Sequence, residues 1–456
     1  MTDSSTSQLD SLSQLSSPIS PIQSEEAFRE AKSALIGDKK SFQQDEKFAE
    51  LAKYIHEALK AQDSDRALTL LTKGALGLGS SDIHYDLSEI EARVRMRIDG
   101  GLTTVFTLSL PEYKLLLERL KYKSELKLNI THIPQDGKYR ITEVEDGHID
   151  VRVSTLPVRT GENVVCRVLD STKSIPKVGE LGFVWTSKRQ IDKSLGKKSG
   201  MILVTGPTGS GKTTTLYSMM QDLNTPDRKI ITLEDPIEYE LQGVVQSEVN
   251  EKNGYNFHSG LKALLRQDPD IIMIGEIRDL ETANTAAQGA LTGHLVLSTL
   301  HTKSASETLE RLLNMGIPPY ILASAIDIII AQRLVRKLCT HCHEAYQADE
   351  SQNEIIKWMM QDIGIDSVAR ANKGGYKLYR SKGCEHCGYT GYKGRMGIYE
   401  VLYISDTIRA MIRNGASPVE ILAEARKNDL ILMREDGVLK AMRGKTSLEE
   451  VFSVID

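Results

Sequence analysis

The chain has no run of about 18 uninterrupted apolar residues, the length that a membrane-spanning helix needs. Its nearest stretch, ILASAIDIIIA at 321–331, is shorter and carries Asp327. A surplus of positive charge is also missing: Lys and Arg total 57 against 62 Asp and Glu, a net charge of −5. No basic stripe is interleaved with aromatics either, so nucleic acid is not expected as a direct ligand. The opening MTDSSTSQLD lacks the basic start and apolar centre of a secretory signal. The chain is therefore expected to stay in the cytoplasm. Cysteine is scarce, five in 456 residues, and in a reducing compartment clustered thiols point to a metal rather than to disulfides. No repeat of fixed period is visible. What is present is ordinary for a soluble globular protein, with 40% hydrophobic and 26% charged residues. The length suggests roughly two to four domains.

The most specific feature is GPTGSGKT at 206–213, which fits the phosphate-binding pattern G-x-x-x-x-G-K-[ST]. The apolar run Met201 to Thr205 reads as a buried parallel strand before it, and KTTTLYSMMQDL reads as a helix after it. Gly206, Gly209 and Gly211 permit backbone conformations that let main-chain N–H groups point at phosphate oxygens near the positive end of the helix. Gly206, Pro207, Thr208, Gly209, Ser210, Gly211, Lys212, Thr213 and Thr214 are the candidate ATP-binding residues. Lys212 is expected to reach the β- and γ-phosphates and the Thr213 hydroxyl to hold Mg²⁺.

Around this loop the chain divides by composition. Residues 1–24 are rich in Ser and Gln and are expected to be disordered. Residues 25–65 form a short helical segment, with Phe48, Leu51, Ala52, Ile55 and Leu59 at helical spacing. Residues 66–170 alternate apolar and polar positions at 92–100, 148–156 and 162–170, with a helix at 111–122, which predicts an α+β domain. Residues 171–198 are polar and read as a linker and hinge. From 199 to 338, strands at 200–205, 229–234, 270–275 and 295–300 alternate with helices at 211–223, 259–267, 279–291 and 304–314. That rhythm predicts an α/β fold with a parallel sheet. A long helix is expected over 318–338, a cysteine-bearing region over 339–398 and a helical C-terminal region over 399–456.

Three further elements follow the loop. DIIMIGEIRD at 270–279 is a buried strand that ends in Glu276, a carboxylate placed to orient water or assist Mg²⁺. Gly275 stands where an acid of the Walker-B type is usual, so Glu276 is the candidate for polarising the attacking water. ITLEDPIEYE at 231–240 gathers Glu234, Asp235 and Glu238 at another strand end, with acidic groups suited to Mg²⁺ or its water ligands. TGHLVLSTLHT at 292–302 is a strand flanked by His294 and His301, either of which could contact the γ-phosphate or be merely structural.

These four elements, in this order, resemble the secretion ATPases of type II secretion and type IV pilus assembly. Upstream the resemblance rests on SDIH (81–84), RIDG (97–100), IPQDG (133–137) and VRVSTLP (151–157). It implies a RecA-like P-loop core below an upstream PAS-like domain, working as a homo-hexameric ring. In such rings upstream arginines reach phosphate across a subunit boundary; the matching positions are Arg152 and Arg167, with Arg159 a weaker candidate. Arginine suits that task because its planar fork neutralises developing phosphate charge. Arg266 and Arg278 read as switch or interface residues.

Cys339-x₂-Cys342 and Cys384-x₂-Cys387 make two C-x-x-C pairs, and two such pairs complete a tetrahedral site that favours Zn²⁺. A structural role is expected, since catalytic zinc keeps an open position. CTHCH at 339–343 also matches a haem attachment string, but that reading leaves the second pair without a place. Cys166, in a predicted strand, reads as core. Within the resembled family the four cysteines mark assembly and secretion motors rather than retraction motors. The expectation is a Mg²⁺-dependent ATPase that powers pilus or pseudopilus assembly. It would meet a platform protein at the inner face of the cytoplasmic membrane, reaching the membrane only through partners. A retraction or DNA-uptake motor, a nucleotide-binding scaffold and a nucleic-acid-dependent ATPase are the alternatives.

Overall fold

A computed structural model describes residues 46–144, 147–170, 174–360 and 375–455. The segment 1–24, expected to be disordered, lies outside the described residues, as does most of the helical segment's first half. Helix Glu46–Lys60 buries Ile55, Ala58 and Leu59 on one stripe, as the spacing predicts. Helix Ser64–Gly77 follows and is capped by Asp63, whose carboxylate accepts the Arg66 N–H at 3.0 Å.

Strands β1 (Ser80–Leu87), β2 (Glu91–Ile98) and β3 (Gly101–Ser109) lead through helix Leu110–Lys123 to β4 (Gln135–Val144), β5 (Gly147–Val158) and β6 (Gly161–Asp170). They make one antiparallel sheet in the order β3-β2-β1-β6-β5-β4. Period-two alternation sets its inner face: in β6, Val164, Cys166 and Val168 are buried, while Val165 and Arg167 point outward. The inner face meets the three helices around Leu71, Met96, Leu116 and Ile149. Lys121 and Glu162 close this core as an ion pair at 2.9 Å, each only 2% exposed. Lys121 Nζ also donates to the Ile130 carbonyl at 2.7 Å.

The second sheet draws on β7 (Gly200–Thr205), β8 (Ile230–Glu234), β9 (Val245–Glu248), β10 (Ile271–Ile274), β11 (Leu295–Leu300) and β12 (Ile326–Leu338). The chain continues through β13 (Glu344–Gln347) and β14 (Lys377–Arg380) to β15 (Tyr392–Tyr403). The sheet order is β15-β12-β7-β11-β10-β8-β9. All its neighbours are parallel except β12 and β15. Both faces are covered, which explains the unbroken apolar strands. Met201 and Leu203 enter the core under helices Phe257–Leu264, Leu280–Leu291 and Ala305–Asn314. Ile202 and Val204 enter the opposite core, with helix Lys212–Leu223.

Three expectations change. The run 318–338 is not one helix: it divides into helix Pro319–Ala325 and the 13-residue β12. Ile326, Ile328, Ile329 and Ile330 are β-branched and stiff, which favours a strand. Partners on both sides, β7 and β15, then supply the ladder. The C-terminal region 399–456 begins inside β15, and its helices start only at Asp406. Residues 178–198 of the expected linker are packed structure: Val178, Ile191 and Leu195 are buried in the core beside helix Lys212–Leu223. The apolar pair Ile191 and Leu195, one helical turn apart among lysines, seats helix Trp185–Leu195. Among the described linker residues, 174–177, 181–184 and 196–198 lie outside its short 3-10 turn and its helix.

Asp327 interrupts the isoleucines of β12. Its Oδ1 accepts from Lys197 Nζ at 2.7 Å and from Arg409 at 2.6 Å. Gly200 lies against it with φ of +130°, and a Cβ there would sit 2.1 Å from Asp327 Oδ2. Close approach and backbone angle both require glycine at that strand start.

Lys121→Ala leaves Glu162 buried and unpaired, and is expected to cost about 3–5 kcal/mol in denaturant unfolding. The pair replacement Lys121→Met with Glu162→Leu should recover most of that loss; equal loss in both variants would contradict a buried-charge cause.

Candidate active site and metal centre

Parallel pairing brings the ends of four strands to one edge. Thr205 of β7 lies beside Leu300 of β11 and Ala331 of β12, and Ile274 of β10 lies beside Ser298 of β11 and Leu233 of β8. The loop 206–211 leaves β7 there and opens helix Lys212–Leu223 from Gly211, which has φ of +85°. Lys212 Nζ donates to the carbonyls of Gly206 at 2.9 Å and Pro207 at 3.1 Å, so the lysine curls over its own loop. Burial lowers the pKa of its ammonium, and the Glu276 carboxylate pulls in the opposite direction. The two residues singled out from separate motifs thus stand at one sheet edge, Lys212 after β7 and Glu276 after β10, with β11 between them.

Glu276 is held from three sides. The Gly275 N–H donates to the Leu233 carbonyl at 2.8 Å, and the Ile277 N–H donates to Thr299 O at 3.0 Å. Thr299 Oγ1 donates to the Gly275 carbonyl at 2.7 Å. One Glu276 oxygen pairs with Arg278, and the other lies 3.4 Å from His301 Nε2. Arg278 also lies 3.6 Å from Asp235. It therefore ties the two acidic strand ends together, a contact its place beside the motif only hinted at. Arg266 donates to the Lys262 carbonyl at 3.0 Å and stays on its own helix end.

The two histidines of the fourth element separate. His301 joins Glu276, whereas His294 sits at the other end of β11. Its Nδ1 lies 2.9 Å from the Gly289 carbonyl, where it caps the preceding helix.

Glu234 is buried at the end of β8, 3% exposed. It accepts from Tyr217 OH at 2.5 Å, Thr232 Oγ1 at 2.6 Å and Gln246 Nε2 at 3.2 Å. Burial pushes its carboxyl pKa up, and these donors oppose that shift. Tyr217 and Gln246 escaped the sequence reading because nothing local distinguishes a helix tyrosine or an edge-strand glutamine that shares a carboxylate with a distant strand.

The upstream arginines are engaged within the chain. Arg152 donates to the Ile237 carbonyl at 2.6 Å and lies 3.3 Å from Glu238, linking the first sheet to the acidic turn. Arg167 donates to Asp82 at 3.1 Å, and Arg159 pairs with Glu89 on the exposed surface.

The four thiols of Cys339, Cys342, Cys384 and Cys387 converge, with all sulfurs within 4.8 Å of one another. Three of the sulfur pairs, 339–384, 342–387 and 384–387, are each 3.8 Å apart. A tetrahedron with bonds of about 2.3 Å has edges of about 3.8 Å, the geometry of thiolates around Zn²⁺. The antiparallel pair β13 and β14 ties the two knuckles together across the insertion. The Gly391 N–H donates to Cys387 Sγ at 3.2 Å. His343 Nδ1 lies 2.9 Å from the Cys339 carbonyl, and the His341 and His386 rings stack at 3.8 Å. The histidines border the cluster while four sulfurs make it. Cys166 is buried in β6, and burial raises its thiol pKa.

Fold and site together define a P-loop nucleotide-binding protein of α/β type with a four-thiol knuckle built onto its sheet. The chain belongs to the family described as Type II/IV secretion system protein, whose family model matches residues 57–453. It is 43% identical over 402 residues to type II secretion system protein E of Pseudomonas aeruginosa, covering 87% of this chain and 77% of that protein. It is 45% identical over 375 residues to the type IV pilus assembly ATPase PilB of the same organism, covering 82% of this chain and 64% of that protein. Among solved structures, the pilus retraction motor PilT with bound ADP matches at TM-score 0.56 and 28% identity, covering 84% of this chain and 95% of that one. ATPase DotB of Legionella pneumophila shares the fold, with TM-score 0.61 at 22% identity over 85% of this chain and 95% of that one. The family resemblance read from the motifs and the expected α/β fold both hold.

Protein prepared without chelator is expected to carry about one tightly held metal ion per chain by elemental analysis. Cys384→Ser should lower that occupancy and the melting temperature together. Metal-free wild-type protein of unchanged melting temperature would contradict the metal reading of the four thiols.

Proposed function

We propose that this protein is a cytoplasmic motor ATPase that powers assembly of type IV pili or of type II secretion pseudopili. The observation that carries the proposal is that Lys212 and Glu276 leave the same edge of the sheet, after β7 and β10 on either side of β11, in a chain of the secretion ATPase family. On this reading, the loop N–H groups of residues 206–214 cradle the phosphates of ATP. Lys212 leaves the Gly206 and Pro207 carbonyls for the β- and γ-phosphates. The Thr213 hydroxyl would hold Mg²⁺, which would supply neutralising charge there, with the buried Glu234 at the end of β8 a further carboxylate of this edge. Glu276, its oxygens fixed by Arg278 and His301, orients the water that attacks the γ-phosphate in line.

The working form on this reading is a homo-hexamer at the inner face of the cytoplasmic membrane, docked on a membrane platform protein. Among the described residues no helix is long and apolar enough to cross a membrane, and the proposed membrane contact is through partners. Arg152 and Arg167 are the proposed charge donors to a neighbour's nucleotide. Arg152 must first leave Glu238 and the Ile237 carbonyl, which couples its release to the acidic turn after Glu234. The domain divisions proposed are an upstream α+β unit ending near 170, a core from 199 and a zinc-bearing region from 339. Relative motion would occur ahead of the packed residues that begin at Val178, at 174–177 among the described residues, rather than across all of 171–198. The four cysteines would hold Zn²⁺ in a structural role, since four thiolates would fill its usual tetrahedral set.

Glu276→Gln is expected to bind ATP normally and lose about 10²-fold or more in turnover, measured by phosphate release. Retained turnover would remove Glu276 from its role. Arg167→Ala and Lys212→Ala should each be inactive alone; partial recovery on mixing them would support donation across a subunit boundary, and none would argue for action within one chain.

A further inference from the structure

We propose that Gln332, on β12, is a positioning residue that sets the phosphate loop in its binding conformation. The inference rests on the ATPase reading of the loop and goes beyond it to a residue outside every motif. Gln332 lies next to Ala331, which pairs with Thr205 at the point where the loop leaves β7. Its side chain is 1% exposed in a run otherwise rich in isoleucine and leucine. A buried amide in such a run needs partners, and it has two. Nε2 donates to the Ser210 carbonyl at 2.6 Å, and Oε1 accepts from Thr215 Oγ1 at 2.7 Å. The Ser210 carbonyl can only accept, so it fixes which end of the amide faces it, and the oxygen is left for Thr215.

The two contacts fall on either side of Lys212 and Thr213. Their effect follows from peptide geometry. In a trans peptide the carbonyl of one residue and the N–H of the next point in opposite directions. Pinning the Ser210 carbonyl toward β12 therefore aims the Gly211 N–H away from β12. The Gly211 N–H has no acceptor among the described residues, as a phosphate donor requires. Without the pin this peptide is easily turned over, because the flip is a rotation about Ser210 ψ and Gly211 φ, and Gly211, at φ of +85°, carries no side chain to resist it. Turned over, it would present a carbonyl to the phosphates and replace attraction by repulsion.

The packing is as specific as the hydrogen bonds. A Cβ on Gly206 would lie 2.4 Å from the Gln332 carbonyl, and one on Gly211 would lie 3.0 Å from Gln332 Nε2. Gly206 is thus required by the close approach of the β12 main chain, while Gly211 sits in tight contact with the Gln332 amide itself. The third loop glycine, Gly209, has open space around it.

The test compares wild-type protein, Gln332→Glu, Thr215→Val and a control, Ile329→Val, which trims a buried β12 residue away from the loop. ADP affinity, steady-state KM and kcat for ATP, and nucleotide-free melting temperature are measured for each. Gln332→Glu keeps the acceptor for Thr215 but sets a carboxylate oxygen against the Ser210 carbonyl. It should raise the ADP Kd and the KM for ATP about tenfold, the effect of one buried hydrogen bond turned unfavourable. Thr215→Val should weaken ADP binding by a smaller factor, and Ile329→Val should lower the melting temperature while leaving the ADP Kd within about twofold, as expected of a loss remote from the loop. If wild-type protein does not bind ADP, the ATPase reading fails. If wild-type binds but Gln332→Glu and Thr215→Val both bind as tightly, the positioning role alone is overturned. Equal weakening in Ile329→Val overturns it too. Should Gln332→Glu fail to fold, Thr215→Val decides, and if neither folds the contacts are structural and the proposal is withdrawn.

Discussion

The ladder between β7 and β12 places two chemistries in one frame. At its start, Gly200 and Asp327 approach so closely that only glycine fits, and Lys197 and Arg409 neutralise the buried aspartate. At its end, Thr205 meets Ala331 and the chain turns into the phosphate loop. β12 then runs on past the sheet edge to Cys339, the first of the four thiols. From Gln332 to Cys339 is seven residues, about 23 Å of extended chain. A shift of this strand would move the loop support and a metal ligand together. β15 returns alongside from the second knuckle, so the thiol cluster closes the same strand pair that backs the nucleotide loop.

Charge is arranged around that frame in layers of decreasing solvent contact. Glu276 pairs with Arg278, lies against His301 and remains partly accessible, with a side chain 20% exposed. Glu234 lies deeper and is satisfied by three neutral donors rather than by a cation. A carboxylate without a cation in a buried site is costly, and burial correspondingly raises its pKa. Such a group is poised to respond when a cation comes close. The nearby guanidinium of Arg152 sits on the turn that follows, bound to Glu238 and Ile237. Tyr217 joins these layers: its hydroxyl donates to Glu234 and accepts the Glu238 N–H at 3.3 Å. The first sheet therefore touches the acidic turn at this edge through Arg152 and, 4.0 Å from Glu240, through Arg140.

How much of this was legible depended on whether the chemistry was local in sequence. The strand–loop–helix at 200–223, the strand ending in Glu276 and the paired C-x-x-C turns each carry their physics within about ten residues. Their elements stand within a residue or two of the positions read from periodicity. The stretch 318–338 misled because an apolar run has no intrinsic period, and whether it becomes helix or strand depends on free edges to pair with. The packed helix 185–195 was hidden because two apolar residues among lysines make a weak signal until a core exists to receive them. His294 and His301 looked equivalent beside one strand, but a six-residue strand separates its ends by about 20 Å, and only one end carries the site.

The sequence by itself determined the phosphate loop, the acidic strand ends, the thiol pairs and, through them, the family. These depend on residue types at short fixed spacings, and backbone geometry carries the rest. Tertiary structure alone decided that Glu276 is held by Arg278 and His301, that Glu234 shares Tyr217 and Gln246, and that Gln332 backs the loop. Apart from Glu276 and Arg278, two positions apart, those contacts join residues distant in the chain, from 12 positions for Gln246 and Glu234 to 122 for Gln332 and Ser210. They exist because parallel strands, connected only by crossovers, bring distant strand ends to one edge.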